Sequence, residues 1–343
     1  MEIGIDRFVF ANFPSNEGMT PVEGLLEEIE LADSLGIHVY GIGEHHSDEF
    51  LDSAPAVLLS AAAARTRRIR LTSAISVLSA SDPVRLFEDF ATVDLVSRGR
   101  AEIVVGRGAY AEAFSLFGLD LREYDSLFES KLDLLLRLRR GGPIQWSGRH
   151  RPSLDGQRVT PKPEQELLPI WVGATGSPES FARAGALGLP LAFGIIGGNF
   201  ASFRPLIDLY RDAGRRAGHA QNDLKVAVHA IGYLADEKPA AEEEFFPAYK
   251  AVFGPIARKM GRPEPSRQFF SQATGPDAAL VVGDPDEVLR KFKHINEVLG
   301  GVSRICLQMS VGPLARPLRL KSIELLASIS PRLADDETLM FEG

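Results

Sequence analysis

The run Val39-Tyr40-Gly41-Ile42-Gly43-Glu44-His45-His46-Ser47-Asp48-Glu49-Phe50 decides how the chain is read. An apolar, β-prone stretch passes directly into an acid and two adjacent histidines, then into a polar loop. Such a junction reads as a strand that delivers functional side chains from a rigid base, because chemistry collects on loops set on a scaffold. Neighbouring strand residues face opposite sides, so His45 and His46 are expected in different surroundings, with His45 on a loop edge. Two readings stand at this point. The histidines are polar residues closing a strand, or one of them is an acid–base group, since imidazole titrates near neutral pH. Zinc is disfavoured: the helical H-E-x-x-H spacing is absent, and adjacent strand histidines diverge.

Toward the N-terminus, Ile3 to Phe10 reads as a first strand. Thr20-Pro21-Val22-Glu23 is a capping box opening a helix whose apolar positions Val22, Leu25, Leu26, Ile29 and Ala32 keep helical spacing until Gly36. Beyond Phe50 come a helix from Ala56 to Arg65, a strand from Ile69 to Ser76, and a helix from Asp82-Pro83 to about Ser97. The turn Ser97-Arg98-Gly99-Arg100 leads into a strand from Ala101 to Val105, and Tyr124 to Leu138 is again amphipathic. Residues 141–169 are rich in Pro, Gly and charge, which predicts an insertion containing a short hairpin.

Regularity returns with strand Ile170 to Gly173, a helix starting at Ser177-Pro178-Glu179, strand Leu189 to Ile196, helix Phe203 to Ala217 and strand Lys225 to Leu234. Residues 236–282 depart from the pattern, acidic and helical at first, with few order signals from Arg267 to Asp277. Asp284-Pro285-Asp286-Glu287 opens another helix, and strand Arg304 to Gln308 and helix Leu318 to Ser328 follow. Eight strands alternating with helices predict parallel βα units. The count fits a closed (β/α)8 TIM barrel, an α/β fold in one domain over residues 1–343, better than an open sheet.

Composition narrows the function classes. With 45% hydrophobic and 24% charged residues the composition is ordinary for a soluble globular enzyme. A net charge of −8 without a long basic run argues against nucleic acid. The single Cys306 excludes an intrachain disulfide and a cysteine-based zinc cluster, and Ile305-Cys306-Leu307 reads as buried filler. Met1 to Ile5 carries no basic leader and no apolar run reaches membrane-spanning length, so a cytoplasmic location away from membranes is expected.

In a (β/α)8 barrel the active site lies at the C-terminal strand ends. Four marked segments fall there: Glu44-His45-His46, Ser76-Val77-Leu78-Ser79, Gly106-Arg107-Gly108 and Gly173 to Ser177. Gly173-Ala174-Thr175-Gly176-Ser177-Pro178 runs from strand to helix, where glycines permit close approach and free N–H groups suit a phosphate. A plain turn with a serine N-cap is the competing reading. Arg107 offers a fixed charge with bidentate donors, against the reading of a surface arginine in a turn. Gly106 to Ala111, through Ala109, also fits G-x-G-x-x-A. The acid that a dinucleotide fold needs at the next strand end is instead Asp125 at a helix start, which disfavours that fold.

Further landmarks are Glu49-Phe50, Val77-Leu78 with Pro83-Val84-Arg85, Tyr110 with Phe114 to Gly118, and Gly188-Leu189-Pro190. Together with Glu44-His45-His46 and Arg107-Gly108 they resemble the bacterial-luciferase-like flavin monooxygenases. Over its first two hundred or so residues the chain is similar to the luciferase α-chains; its last third matches in order of elements. The resemblance implies a (β/α)8 barrel that binds reduced FMN at the strand C-termini. By position, His45 matches a catalytic imidazole, and Arg107 with Thr175, Gly176 and Ser177 matches phosphate contacts. Ala74-Ile75 matches a non-prolyl cis peptide beneath the isoalloxazine ring, Val172 and Gly173 adjoin it, and 236–282 matches a mobile lid.

The implied reaction is monooxygenation of a small organic substrate through a flavin C4a-hydroperoxide formed from reduced FMN and O2. A separate flavin reductase and a homodimer are implied as partners. Gly106 stands where luciferase has a reactive cysteine and Ala174 where it has an acid. These departures argue against light emission and a long-chain aldehyde, and Gly106 is expected to leave room over the ring. A deazaflavin-dependent hydride transfer and a non-catalytic flavin-binding role remain as alternatives.

Overall fold

Eight parallel strands close on themselves in the computed structural model, which describes residues 1–11, 18–108, 110–309 and 311–333. They are β1 (Glu2–Arg7), β2 (Val39–Ile42), β3 (Arg70–Ser73), β4 (Ala101–Gly106), β5 (Ile170–Ala174), β6 (Leu191–Ile195), β7 (Val226–Leu234) and β8 (Arg304–Gln308). Each pairs with its successor, and β8 pairs back onto β1 through registers such as Gly4 with Cys306. The expected (β/α)8 barrel is therefore the fold. Alternation along the strands sorts the side chains. Ile3, Ile5, Tyr40, Ile42, Leu71, Ile103, Val105 and Ile170 enter one buried cluster with Leu25, Ile29, Phe90 and Phe128 of the surrounding helices.

Most inward positions are small, polar or charged, Val104 and Trp171 being large apolar exceptions. At the N-terminal end of the lumen Arg304 bridges Glu102, at 2.8 and 3.1 Å, and Glu2 at 2.9 Å, and lies 4.6 Å from the Trp171 ring. Burial works against the guanidinium charge, but Glu102 outweighs it and pushes the Arg304 pKa up. Above this network Val104, Trp171, Ala192 and Ala227 form a small apolar layer, with Ile75 packed against it. The lumen is thus filled from below, which confines any reacting molecule to the C-terminal mouth.

Local signals set the helices as expected. Thr20 and Glu23 form the reciprocal capping box of helix Pro21–Ser34, and Asp82 accepts from Val84 N at 2.8 Å to start helix Pro83–Ser97. The 141–169 insertion contains the antiparallel hairpin Ile144–Trp146 with Leu154–Gln157. Three details differ from the sequence reading. The first strand stops at Arg7, and Phe10 instead bridges Phe50. The strand read as Ile69 to Ser76 is broken after Ser73, and Ser76–Val77 pairs separately with β4.

The third difference lies in 236–282. The expected helical start is Lys238–Lys259, but Arg267–Ala273 is also helical, capped by Ser266, and Val281–Gly283 pairs with β7. Phe270 is buried with Tyr233, Phe245, Phe246 and Tyr249 in an aromatic cluster of their own. A seven-residue helix with one buried side chain has no readable period, which is why it escaped notice.

Candidate active site at the barrel mouth

Ile75 is the point where the marked segments meet. The Ala74–Ile75 peptide is cis, and the Ile75 side chain lies against Gly106 and Gly173. A Cβ on Gly106 would overlap Ile75 Cδ1, and one on Gly173 would meet Ile75 Cγ2 at 2.9 Å. The expectation that Gly106 leaves spare room is therefore corrected: Ile75 already fills the space a side chain there would need. Val77, just beyond, packs onto Gly108, and its N–H donates to Oε2 of Glu44 at 3.0 Å. Lys131 holds the following turn through the Ser79 carbonyl at 2.6 Å, and burial pushes its ammonium down to about 8. All four segments thus form one platform.

His45 continues β2 into this mouth, and it is not on an open loop edge. It is 7% exposed, stacked on Phe50 with centroids 4.0 Å apart, and edge-on to Phe8 and Tyr110. Its Nδ1–H donates to Oδ1 of Asp52 at 3.0 Å, and Oδ2 of the buried Asp52 accepts from Val9 N at 2.9 Å. That bond fixes the tautomer and leaves Nε2 for proton transfer. His46 diverges, as strand geometry required: its Nε2 meets Oε1 of Glu44 at 2.9 Å and its ring meets Phe117 edge-on. A cavity of about 420 Å³ opens between the two rings, lined also by Ser47, Phe50, Ser53 and Phe117.

Arg107 leaves the end of β4 toward the helix that follows β5. Its guanidinium pairs with the exposed carboxylate of Asp125 at 2.5 Å and lies 5.0 Å from the Tyr124 ring. That helix, Pro178–Ala186, is capped by Ser177, whose hydroxyl donates to Glu179 at 2.8 Å. Hydrogen bonds from its own backbone N–H and from Ser177 hold the Glu179 carboxyl below its usual range, with the charge of Arg107 adding to the effect. Gly176 has φ +133 and open space around it, and Thr175 is exposed beside it. Val172 points the other way, into the outer core, so only its backbone is available to a ligand. Ala109 lies outside the described residues.

Two groups escaped the sequence reading. Asp52 is seven residues beyond His45 in a stretch without period, so nothing marked it as the partner. Asp6 and His229 meet inside the lumen, Nδ1 to Oδ2, although 223 residues separate them. Cys306 is buried as expected, but within the lumen and not in the outer core, and its ligand atom lies within 4.8 Å of those of Asp6 and His229. Burial, with the Asp6 charge adding to it, pushes the Cys306 thiol well up and keeps it protonated.

The profile of a family described as luciferase-like monooxygenase matches residues 4–301. Uncharacterized protein y4wF of Sinorhizobium fredii is 34% identical over 165 residues, 48% of each chain, so this match spans about half of either protein. 4-Hydroxyprotoasukamycin monooxygenase of Streptomyces nodosus subsp. asukaensis is 24% identical over 92% of this chain and 88% of that one. Among solved structures, monooxygenase RslO1 from Streptomyces bottropensis has a TM-score of 0.84 at 25% identity, covering 97% of this chain and 100% of that one.

Two further structures share the fold at lower identity. The oxygenating constituent of 3,6-diketocamphane monooxygenase of Pseudomonas putida, in complex with FMN, has a TM-score of 0.79 at 20% identity over 96% and 98% of the chains. The coenzyme F420 dependent tetrahydromethanopterin reductase of Methanopyrus kandleri has a TM-score of 0.73 at 21% identity over 96% and 99%. Among the described residues, no helix is long and apolar enough to cross a membrane.

Proposed function

Because the chain belongs to the luciferase-like monooxygenase family, we propose that it uses reduced FMN and O2 to oxidise a small organic substrate. The observation that carries this reading is the convergence at Ile75. The floor made by Ala74–Ile75, Gly106 and Gly173 adjoins, on one rim, Arg107 and the capped helix start at Ser177. A flat ring with a phosphate tail fits that combination, since a helix start and an arginine suit a phosphate.

When bound, reduced FMN supplies the electrons and the oxygen activation. The chain's own residues supply the rest. Arg107, with backbone groups around Thr175, Gly176 and Ser177, anchors the phosphate, while Ala74, Ile75, Gly173 and the backbone of Val172 support the ring. His45, oriented by Asp52, holds or delivers a proton through Nε2. Phe8, Phe50 and Tyr110 around it keep water from the reacting atoms. A separate reductase supplies the reduced flavin, and residues 236–282 act as the lid.

The shared fold with an F420-dependent reductase keeps a deazaflavin hydride transfer as the second reading. Oxygen uptake separates the two. Purified protein is mixed with reduced FMN, or with a reduced deazaflavin, and a panel of organic substrates under isotopically labelled oxygen. Incorporation of label into product with FMN is the expected result. Reduction of a substrate by deazaflavin, without oxygen consumption, would replace the monooxygenase reading.

A further inference from the structure

The Asp6–His229 pair is polar, lies inside the lumen, and has no task in the reaction described above. Asp6 is 4% exposed at the end of β1, and its Oδ2 is engaged by Nδ1 of His229 on β7. Its Oδ1 and the Nε2 of His229 are both buried, and neither has a hydrogen-bond partner among the described residues. Leaving two such atoms unsatisfied is costly, so a pair of this kind is expected to serve a ligand.

Its position says which ligand. A Cβ on Gly41 would meet Oδ1 of Asp6 at 2.5 Å and the Cβ of Ala74 at 2.8 Å, so Asp6 faces the cis peptide across Gly41. On the other side, His229 is in register with Gly194 of β6, where a Cβ would find nothing within 4 Å. The lumen is therefore full beside Ile75 and open beside His229. In the neutral imidazole, Nδ1–H donates to Asp6 and Nε2 keeps its lone pair, so the pair presents two acceptors. Two buried acceptors select a group that donates.

We propose that Asp6 and His229 bind the hydroxyl or N–H of the organic substrate, in the space that Gly194 leaves open. The substrate class is then a phenol, alcohol or amine, as opposed to a hydrocarbon or a molecule that only accepts hydrogen bonds. This assignment rests on the reading of the barrel mouth as the reaction site, because it places the substrate across the lumen from the Ala74–Ile75 floor.

The test uses three probes of similar shape: phenol, which donates; anisole, which only accepts; and toluene, which does neither. Each is titrated into the full-length protein by calorimetry, and the imidazole resonances of histidine-labelled protein are followed, with His229 assigned from His229→Gln. Phenol is expected to bind about fivefold to tenfold tighter than toluene or anisole, the effect of one well-made hydrogen bond, and to shift the His229 signal. The preference should vanish in His229→Leu and in Asp6→Asn, two changes of different volume that guard against a folding artefact. Equal binding of the three probes by the unmodified protein, or a phenol preference that survives both substitutions, overturns the proposal. FMN affinity is measured on the same samples. Failure of FMN to bind, with the phenol preference intact, counts against the flavin reading alone.

Discussion

The Nδ1–H of His45 points at Oδ1 of Asp52 over 3.0 Å, and the far oxygen of that carboxylate is pinned by the backbone N–H of Val9. A buried carboxylate held at both oxygens sets the imidazole's tautomer and its angle in the mouth. If Nε2 handles the proton, His45→Gln lowers substrate-dependent oxygen uptake by about 10²–10⁴-fold while FMN binding is retained. In Asp52→Asn the amide oxygen serves the Val9 N–H, so the amide NH2 faces Nδ1, inverts the tautomer and lowers oxygen uptake as well, with an altered pH profile. Because His45 is stacked inside an aromatic cage, His45→Ala also destabilises the fold by about 1–3 kcal/mol. Wild-type oxygen uptake in both His45 variants would show the pair to be structural.

Arg107 is already spoken for, because Asp125 holds its guanidinium at 2.5 Å. The carboxylate is exposed, so that pair is weak and a phosphate can replace it. Arg107→Ala removes a charge-assisted contact worth about 1.5–3 kcal/mol and weakens FMN binding roughly 10- to 150-fold in fluorescence titrations. Asp125→Asn acts in the opposite direction and tightens binding, since the competitor is gone. Unchanged affinity in Arg107→Ala sinks the phosphate assignment, and weaker binding in Asp125→Asn would mean that the carboxylate positions the arginine.

These residues also mark how far the sequence could be read. The barrel was legible because eight β-prone segments alternate with capped helices, and each cap is a local signal such as Thr20 with Glu23 or Asp82 before Pro83. The platform was legible as four strand ends, though not its centre: that Ile75 fills the space at Gly106 depends on a side chain crossing between strands. Asp52, Asp6 and His229 were not legible at all. Their partners are set by loop path and barrel closure, and neither leaves a period in the chain. Phe270 shows the same limit, since its helix is defined by an aromatic cluster that the strand at Tyr233 completes.

Lys291 gives a pH-dependent prediction. Its Nζ donates to the carbonyls of Gly275 and Leu280 at 2.6 Å each, and to that of Thr274 at 3.3 Å. Burial, with Lys238 adding to it, pushes its pKa from 10.5 down to about 7. The unfolded chain therefore binds the extra proton between these two values, so this group's contribution to stability rises with pH. Its burial penalty is fully present below about pH 7 and is relieved progressively above it. The melting temperature of the native protein, relative to Lys291→Met, should climb between about pH 7 and 9. A difference that stays flat or falls across that window contradicts the shift.

The segment 236–282 divides into two parts with different holding forces, and that division tests the proposed lid role. Phe245, Phe246, Tyr249 and Phe270 are buried against β7, so the backbone that carries them needs much of the fold to open before it exchanges. Phe253 still stacks on Tyr249, and beyond it the contacts change in kind. Ile256 and Met260 are exposed, and the return of the chain is held by ion pairs of Glu264 with Arg258 and Lys250. Exposed pairs of this sort contribute about 0–1 kcal/mol, too little to keep a helix end closed. Hydrogen exchange in the free protein should therefore show slow amides around Phe245 to Tyr249 and fast ones from 254 to 266. Addition of FMN and a turnover substrate should protect 254–266 and leave the aromatic part unchanged. Raised salt should speed exchange in 254–266 alone, because it screens the Glu264 pairs. Protection of 254–266 in the free protein equal to that around Phe245 would make the whole segment a fixed cap.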